Sequence, residues 1–257
     1  MTNSLDIVWL CALAFVAGFI DSIAGGGGLI QTPALFIFLP TMPVATVFGT
    51  NKLSSIAGTG VAALQYPRHV DVHWRVTIPA TLVAFVCSYL GAMLVSLINA
   101  EVLKPVVFVL LVAVAVWTFF VKDFGLRHAP RFGAHGQVLF GAVAGGVIGM
   151  YDGFFGPGTG TFLMFVFVGV FGFNFLSATA SSKIVNFSTN LAALICFGLT
   201  GNINVRVGLP MAACNILGSI AGTRMAVLKG SKFVRVVFLL VSCGMILRFG
   251  WQLLHRT

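Results

Sequence analysis

The sequence has few charged residues and no stretch polar enough to form a soluble domain. Of its 257 residues only 8% are charged and only six are acidic, whereas 58% are hydrophobic and the mean hydropathy is +1.03. A soluble domain usually has about 25% charged residues. This composition excludes a soluble protein and predicts an integral membrane protein.

Motifs for a metal site, a disulfide framework or nucleic-acid binding are also missing. The five cysteines occur singly in apolar segments, with no CxxC spacing and no neighbouring histidine ligands, so we interpret them as reduced packing residues. The net charge of +9 comes from basic residues scattered at the ends of apolar segments, which is typical of charges that fix membrane topology. We expect no metal, no cofactor and no nucleic-acid partner.

The basic leader of a cleavable signal peptide is absent as well. Residues 1–4 contain no Lys or Arg, and Asp6 opens the first apolar run. We therefore expect the first helix to be retained.

Apolar segments of about 20 residues, long enough to cross the hydrocarbon core, recur along the chain. The predicted spans are residues 5–23, 43–66, 76–98, 102–121, 136–154, 174–198, 207–228 and 233–254. Two shorter runs, 28–39 and 159–171, reach only about 20 Å as helices, which suits half-helices that end inside the protein. Polar loops at 67–75, 122–135 and 199–206 separate the spans.

The chain is a tandem repeat. Equivalent residues of its two halves are separated by the same number of residues as Lys52 and Lys183, and we call this separation the repeat offset. This repeat offset also relates Gly18 to Gly149, Asp21 to Asp152, Gly25 to Gly156, Gly27 to Gly158, Arg75 to Arg206, Pro79 to Pro210 and Gly91 to Gly222. We predict repeat 1 at residues 1–121, a loop at 122–135 and repeat 2 at 136–257. The predicted fold is an all-α integral membrane protein with two homologous repeats, each with a glycine-broken or re-entrant helix.

The number of crossings in each repeat decides how the two repeats are oriented. If segments 28–39 and 43–66 return the chain to the membrane face that it left, each repeat crosses the membrane an odd number of times. The two repeats are then inverted relative to each other. One face then carries Arg68, Arg75, Lys122, Arg127, Arg131, Arg224, Lys229, Lys232 and Arg235, and the other carries Lys104, Arg206, Arg248 and Arg256. The positive-inside rule makes the first face cytoplasmic and places both termini outside. The alternative, a long broken first span, divides the same residues eight to five.

Each repeat has a glycine-rich break before its short segment. The predicted site residues in these breaks are Gly25, Gly26, Gly27 and Gly28 in repeat 1, and Gly156, Gly158 and Thr159 in repeat 2. Glycine lets the backbone approach a ligand closely, and the free N–H groups at a helix start bind anions with the help of the helix dipole. Close packing of membrane helices is the alternative use of such glycines. We predict that both breaks contribute to a ligand or ion site.

Two lysines, Lys52 and Lys183, lie deep inside apolar segments, where ionisable residues are costly and usually functional. Their polar neighbours are Asn51, Ser54 and Ser55 in repeat 1, and Ser181, Ser182, Asn186 and Asn190 in repeat 2. An ammonium beside hydroxyls and amides can replace the hydration shell of a small oxyanion. We predict that these lysines, with Asn51, Ser55 and the four repeat-2 neighbours, bind the substrate. The alternatives are a purely structural ion pair and snorkelling to the interface.

Asp21 and Asp152 are the only two acidic residues buried in apolar sequence. We predict a role in coupling or in helix capping. They can act as proton carriers, as cation ligands, as caps for the broken helices or as partners of the lysines. The residues alone leave these roles open.

Two runs of residues, one in each half, carry a family resemblance. The first is Gly18-Phe-Ile-Asp-Ser-Ile-Ala-Gly-Gly-Gly-Gly-Leu-Ile with Pro33 and Gly49-Thr-Asn-Lys52, and the second is Gly149-Met-Tyr-Asp-Gly-Phe-Phe-Gly-Pro-Gly-Thr-Gly160 with Ser181-Ser-Lys183. Together they resemble the sulfite exporter TauE/SafE family over essentially the whole chain. The resemblance implies a multi-pass bacterial or archaeal inner-membrane transporter for sulfite, sulfonates or related small acids. Ser182 stands opposite Asn51 and Val185 opposite Ser54, so the two halves of the site need not contribute equally.

These observations predict a secondary transporter, not an enzyme, that moves sulfite or a related sulfur-containing anion by alternating access. Its expected partners are the small anion and membrane lipid, with proton or cation coupling as an option. Uptake of an organic acid or nucleobase and a passive anion channel are alternatives within transport. An intramembrane enzyme acting on lipid is the alternative of another class. It needs a nucleophile–base pair or metal ligands at membrane depth, and no such spacing occurs beyond Asp21 and Asp152.

Overall fold

The computed structural model describes residues 4–96, 125, 129 and 131–254, and the elements in this part of the chain are helices. They are α1 (Ser4–Ala24), α2 (Gly28–Phe38), α3 (Val44–Gln65), α4 (Trp74–Met93), α5 (Ala134–Phe154), α6 (Thr159–Gly169), α7 (Phe175–Leu199) and α8 (Val205–Leu254). Short 3-10 turns follow α3 and α4, at Tyr66–Arg68 and Leu94–Ser96. Helix α8 is interrupted at Gly230, where φ is 71°.

Glycine, proline and asparagine residues set the helix starts. Helices α2 and α6 begin directly after the glycine breaks, and α3 begins after Pro43. Helix α7 begins after Asn174, whose Oδ1 accepts a hydrogen bond of 2.8 Å from Ser177 N and so caps the first turn. The predicted short runs 28–39 and 159–171 are confirmed as α2 and α6. The predicted spans 207–228 and 233–254 are the two parts of α8, and the predicted span 102–121 lies outside the described residues.

The repeat offset read from the sequence also relates the helix starts. Helices α2 and α6 begin at Gly28 and Thr159, α3 and α7 at Val44 and Phe175, and α4 and α8 at Trp74 and Val205. Each of these pairs has the same separation along the chain as Lys52 and Lys183. Corresponding residues of the two repeats therefore occupy corresponding places in their helices.

The chain reverses direction at the first glycine break. Gly27 lies against Ala17 and Asp21 of α1, and Leu35, further along α2, packs in one cluster with Leu10 near the start of α1. Helix α2 therefore runs back along α1.

Helix α3 then runs in the same direction as α1. The hydroxyl of Tyr66, just beyond the end of α3, donates a hydrogen bond of 2.7 Å to the carbonyl oxygen of Ser22 near the end of α1. The helices α1 and α3 therefore run in the same direction, and the short helix α2 connects them by running in the opposite direction.

The first helix of each repeat packs along the fourth helix of the other repeat. Gly18 of α1 contacts the backbone of Asn215 in α8, and Gly149 of α5 contacts the backbone of Ala84 in α4. A Cβ atom at either glycine would overlap that backbone, so glycine permits the close approach. The two contacts are reciprocal, because the repeat offset converts one pair into the other. Reciprocal contacts of this kind indicate a two-fold relation between the repeats.

The helical bundle has two ends. The turns before α3 and α8 meet at one end, where the Thr46 hydroxyl donates a hydrogen bond of 3.3 Å to Asn202 Oδ1. The turns before α4 and α7 meet at the other, where the rings of His73 and Phe173 have centroids 4.1 Å apart. These are called the Asn202 end and the Phe173 end.

The bundle is apolar outside and carries polar residues inside. Large hydrophobic side chains such as Ile37, Leu199 and Leu228 are exposed, whereas Lys52 and Lys183 are buried. Four helices of the described chain, α1, α4, α5 and α7, are long and apolar enough to cross a membrane. This distribution is that of an integral membrane protein, whose outer surface faces lipid.

Candidate functional site

The first ion pair of the site joins the two repeats. Lys52 lies in the middle of α3 and Asp152 near the end of α5, and Lys52 Nζ is 2.6 Å from Asp152 Oδ2. The two side chains are only 5% and 2% exposed. Burial of both charges costs several kcal/mol for each ion before pairing, by order of magnitude, so neither charge is tolerated here without the other.

The second ion pair is the repeat equivalent of the first. Lys183 Nζ of α7 is 2.8 Å from Asp21 Oδ2 of α1, and the repeat offset converts this pair into Lys52 and Asp152. Each lysine therefore pairs with the aspartate of the other repeat. In the structure each lysine forms an ion pair with an aspartate, the partnership considered above as one alternative for the aspartates.

The two aspartates are held differently. The Thr159 hydroxyl donates a hydrogen bond of 2.6 Å to Asp152 Oδ1, whereas Asp21 Oδ1 accepts one of 3.1 Å from the backbone N–H of Gly27. The repeat equivalent of Thr159 is Gly28, which has no hydroxyl to offer. Asp21 is also more open, with 17% of its side chain exposed. The environments of the two aspartates are therefore unequal.

The two glycine breaks contact each other. Gly25 and Gly26 have φ values of 78° and 88°, Gly156 and Gly158 have 85° and 91°, and such left-handed conformations favour glycine. The backbone of Gly25 lies directly against Gly160 at the start of α6. The breaks thus place both short helices beside the ion pairs.

Most N–H groups at the start of α2 already have partners. Asp21 accepts from Gly27, Gly26 O accepts from Leu29 at 3.0 Å, and Gly27 O accepts from Ile30 and Gln31 at 3.0 and 3.1 Å. This differs from the expectation that the break leaves these donors free for a ligand. An upstream carboxylate and tight turns at the helix start satisfy them instead.

A small polar cavity lies between the ion pairs. It measures about 20 Å³, room for about one water molecule. Its lining residues are Asp21, Gly26, Gly28, Asn51, Lys52, Ser55, Thr59, Asp152, Gly156, Gly158, Thr159, Gly160, Asn186 and Asn190. Of the predicted site residues, Gly25, Gly27, Ser181, Ser182 and Lys183 lie outside this lining, although Lys183 bonds to Asp21, which lines it.

Asn190 connects the first ion pair to the centre of the site. Its Oδ1 accepts a hydrogen bond of 3.1 Å from Lys52 Nζ. Since an ammonium can only donate, this contact fixes the orientation of the amide. Asn190 Nδ2 then donates to Thr59 Oγ1 at 3.3 Å and faces Asn186 Oδ1 at 3.5 Å.

Sequence reasoning missed three residues of the site. Thr59 and Gly160 line the cavity, and the fully buried Gln31 of α2 donates to Ser54 Oγ at 2.9 Å and accepts from the Ser55 hydroxyl at 3.1 Å. Helical spacing could have identified Thr59, because residues 52, 55 and 59 share one face of α3. Gln31 was visible as an amide inside an apolar half-helix, which is itself a costly placement.

Unpaired polar atoms occur in the residues that precede both lysines along the chain. Asn51 Oδ1 and the hydroxyls of Ser181 and Ser182 are buried and have no hydrogen-bond partner among the described residues. Asn51 and Ser182 are repeat equivalents, and each directly precedes its lysine. Buried polar atoms without a partner are rare, so hydrogen-bonding capacity is left unused at the same position of both repeats.

Comparisons with known proteins find one matching family and several similar chains. The family model described as sulfite exporter TauE/SafE matches residues 10–249. The chain is 39% identical over 248 residues to the "Probable membrane transporter protein ORF9" of a Sinorhizobium species, covering 94% of this chain and 91% of that protein. It is 34% identical over 262 residues to the "Probable membrane transporter protein YfcA" of Escherichia coli K12, covering 99% and 95%. A Haemophilus influenzae protein described as a "Probable membrane transporter protein" is 37% identical over 246 residues, covering 94% and 95%. No solved structure matches the chain significantly.

Proposed function

Because the chain belongs to the sulfite exporter TauE/SafE family of membrane transporters, we propose that it is a secondary transporter for sulfite or a related sulfur-containing anion. In this proposal it works in the inner membrane by alternating access. The observation that carries the proposal is the pair of reciprocal ion pairs between the repeats, which flank one polar cavity. Many transporters bind their substrate at the interface of two repeats, beside broken helices, and ionisable residues inside a membrane protein are usually functional.

The anion binds, in this proposal, by exchange of partners at the lysines. Lys52 and Lys183 each hold a carboxylate oxygen in the structure, and an oxyanion offers the same kind of charged acceptor. Asn51 lines the cavity and, in this proposal, donates a further hydrogen bond to the anion through its side-chain amide N–H group.

Access to the site requires the repeats to separate. A cavity of about 20 Å³ admits a water molecule but not an oxyanion. Because both ion pairs join one repeat to the other, a relative movement of the repeats strains both at once. Anion binding to the lysines compensates for the weakened ion pairs. Substrate binding is thereby coupled to the relative movement of the repeats.

The aspartates provide a route for proton coupling. The two lysines balance the two aspartates, so an entering anion leaves the site with excess negative charge. An aspartate that loses its lysine to the anion is a buried charge without a partner, and uptake of a proton restores the charge balance of the site. Proton uptake at Asp21 or Asp152 therefore accompanies anion binding.

We further propose that the repeats have opposite orientations in the membrane. The turn before α4 lies at the Phe173 end, whereas its repeat equivalent, the turn before α8, lies at the Asn202 end. The predicted cytoplasmic charges Arg68 and Arg75 flank the turn before α4. By the positive-inside rule this supports a cytoplasmic Phe173 end and termini outside.

Single cysteines at Asp71 and Val205 are expected to react from opposite sides of the membrane. Both residues are exposed and lie close to the starts of the equivalent helices α4 and α8. In a variant without the native cysteines, an impermeant thiol reagent applied to whole cells should label Val205→Cys, and Asp71→Cys only after permeabilisation. Labelling of both positions from the same side would contradict the opposite orientations.

Purified protein in proteoliposomes is expected to show saturable uptake of sulfite or a related sulfur oxyanion, accelerated by a proton gradient. The measurement compares sulfite, thiosulfate, an alkyl sulfonate and a carboxylate at equal concentration, with protein-free liposomes as the control. Flux that rises linearly with concentration would identify a channel. Saturable flux of the carboxylate alone would identify an organic-acid transporter.

The variants Asp21→Asn and Asp152→Asn test the coupling within the same assay. Asparagine keeps the size of the side chain and can still accept a hydrogen bond, so capping survives while the proton site is lost. Transport that continues with an unchanged response to the proton gradient in both variants would exclude coupling through these carboxylates and leave them a structural role as partners of the lysines.

A further inference from the structure

A second cavity lies between α3 and α8 at the Phe173 end and is separate from the ion pairs. It measures about 460 Å³ and is lined by Gln65, Arg68, His69, Thr223, Arg224, Val227 and Leu228. This volume is within the range of small-molecule sites, about 300–1,000 Å³. We call it the arginine wedge.

The wedge exists because two closely packed helices part. Toward the middle of the bundle, the Ser219 hydroxyl of α8 donates a hydrogen bond of 2.7 Å to the carbonyl oxygen of Gly58 in α3, and Gly58 leaves room for Asn215. About one to two turns further along, the cavity separates Gln65 from Thr223. The close packing of α3 against α8 therefore does not continue to the Phe173 end of the bundle.

The lining of the wedge combines positive charge with unused hydrogen-bonding atoms. The side chains of Arg68 and Arg224 are exposed, and no carboxylate of the described residues forms an ion pair with either. Gln65 Oε1 and Thr223 Oγ1 are buried and lack a partner in the part of the chain that the structure describes. Two guanidinium groups beside a hydroxyl suit a phosphate, which accepts several charge-assisted hydrogen bonds.

The surroundings of the wedge are apolar. Val227 and Leu228 line it, and Leu228 is 85% exposed on the outside of the bundle. Leu64, next to Gln65, is 68% exposed. A ligand with a phosphate head and an acyl chain would therefore find charge inside the wedge and hydrocarbon contacts beside it.

The repeat-related wedge provides an internal comparison. A cavity of about 220 Å³ at the Asn202 end is lined in part by Ala92, Met93, Cys196, Leu199 and Thr200. The repeat offset makes these five the equivalents of Thr223, Arg224, Gln65, Arg68 and His69. The same architectural gap thus occurs at both ends of the bundle, yet both arginines, the histidine and the unpaired amide occur at only one. Helix packing alone therefore does not explain why the two arginines and the histidine occur at the Phe173 end.

From this contrast we propose that the arginine wedge binds a phosphate group, carried by an anionic phospholipid of the surrounding membrane. Basic pockets between membrane helices on the cytoplasmic side bind lipid headgroups in this way. Arg68 and Arg224 hold the phosphate, and the acyl chains lie along Leu228. The site is independent of the transported anion.

The test measures lipid binding to the purified full-length protein in uncharged detergent by native mass spectrometry. Phosphatidylglycerol is expected to bind more tightly than phosphatidylcholine. Arg68→Gln and Arg224→Gln are each expected to weaken phosphatidylglycerol binding about 10-fold or more, the loss typical of one charge-assisted hydrogen bond. Melting temperatures without added lipid show whether each variant is folded.

Lys229→Gln is the matched control for the loss of charge. Lys229 is on the same helix as Arg224, but its Nζ lies 4.9 Å from the centre of the Phe233 ring and does not line the wedge. Its phosphatidylglycerol affinity should stay within about twofold of wild type, as for an isolated surface charge. Wild-type affinity in both arginine variants would overturn the site. If glycerol phosphate binds as tightly as phosphatidylglycerol, the acyl chains contribute nothing to binding, and the proposal that the bound phosphate belongs to a lipid would be overturned.

Discussion

Replacing Lys52 by alanine is expected to lower the free energy of unfolding by about 3–5 kcal/mol, because Asp152 then stays buried without its cation. Lys183→Ala should cost less, since its partner Asp21 is 17% exposed and can be hydrated. Chemical denaturation of the purified variants in detergent measures both losses. Equal stability of Lys52→Ala and wild type would show that the buried pair is not a structural element.

The same variants separate a structural lysine from a substrate-binding one. Because Lys52 pairs with Asp152 and not with Asp21, the matched double variant Lys52→Ala/Asp152→Asn removes both charges and should regain most of the stability. The mismatched double variant Lys52→Ala/Asp21→Asn leaves Asp152 and Lys183 without partners and should be less stable than either single variant. This mismatch is the control for the pairing itself.

Anion affinity in the matched double variant decides the role of the lysine. If Lys52 contacts the transported anion, affinity should remain about 10- to 100-fold below wild type even after stability returns. Calorimetric titration with sulfite, beside the unfolding curve of each variant, provides the comparison. Wild-type affinity in the stable double variant would rule out direct coordination by Lys52.

Gly25→Ala is expected to destabilise the protein by about 2–5 kcal/mol, through a clash and a strained backbone together. A Cβ at this position would overlap the backbone nitrogen of Thr161 and the carbonyl carbon of Gly160, and the φ of 78° disfavours any side chain. Since these atoms belong to the other repeat, the substitution should also push the two glycine breaks apart. Melting temperature and anion uptake are the two measurements.

Gly201→Ala is the matched control for the backbone strain. Gly201 has a φ of 70°, close to that of Gly25, but a Cβ there would meet no atom within 4 Å. It should therefore lose only the conformational part, about 1–2 kcal/mol. Similar losses at both positions would contradict the close contact between the breaks.

Local patterns in the sequence were sufficient to predict the helices that the structure describes and the burial of Lys52 and Lys183 within them. The glycine run and Pro43 define α2 and α3, and the repeat offset carries these boundaries to α6 and α7. Such features depend on neighbours along the chain, where backbone propensity and apolar length act directly. The burial of Lys52 and Lys183 could be predicted from their place within apolar runs alone.

The pairing of the charges could not be predicted in the same way. Asp152 is 100 residues from Lys52 along the chain, whereas Asp21 is much nearer, so sequence separation favours the wrong partner. The choice is made by the packing of α1 along α8 and of α5 along α4, which brings each aspartate to the opposite repeat. Gln31 was missed for a related reason, because its partners Ser54 and Ser55 come close only when α2 folds back.

The hydrogen bond between Asn190 and Thr59 shows what one continuous chain can do that two identical halves cannot. Positions 59 and 190 are equivalent in the two repeats and yet contact each other, so this contact lies on the two-fold axis. In a dimer of two identical half-length chains, the residue at this position would face its own copy. In one continuous chain the two positions can differ, as they do here. An amide now donates to a hydroxyl across the axis while its oxygen serves Lys52 alone, a one-sided arrangement that identical subunits could not encode.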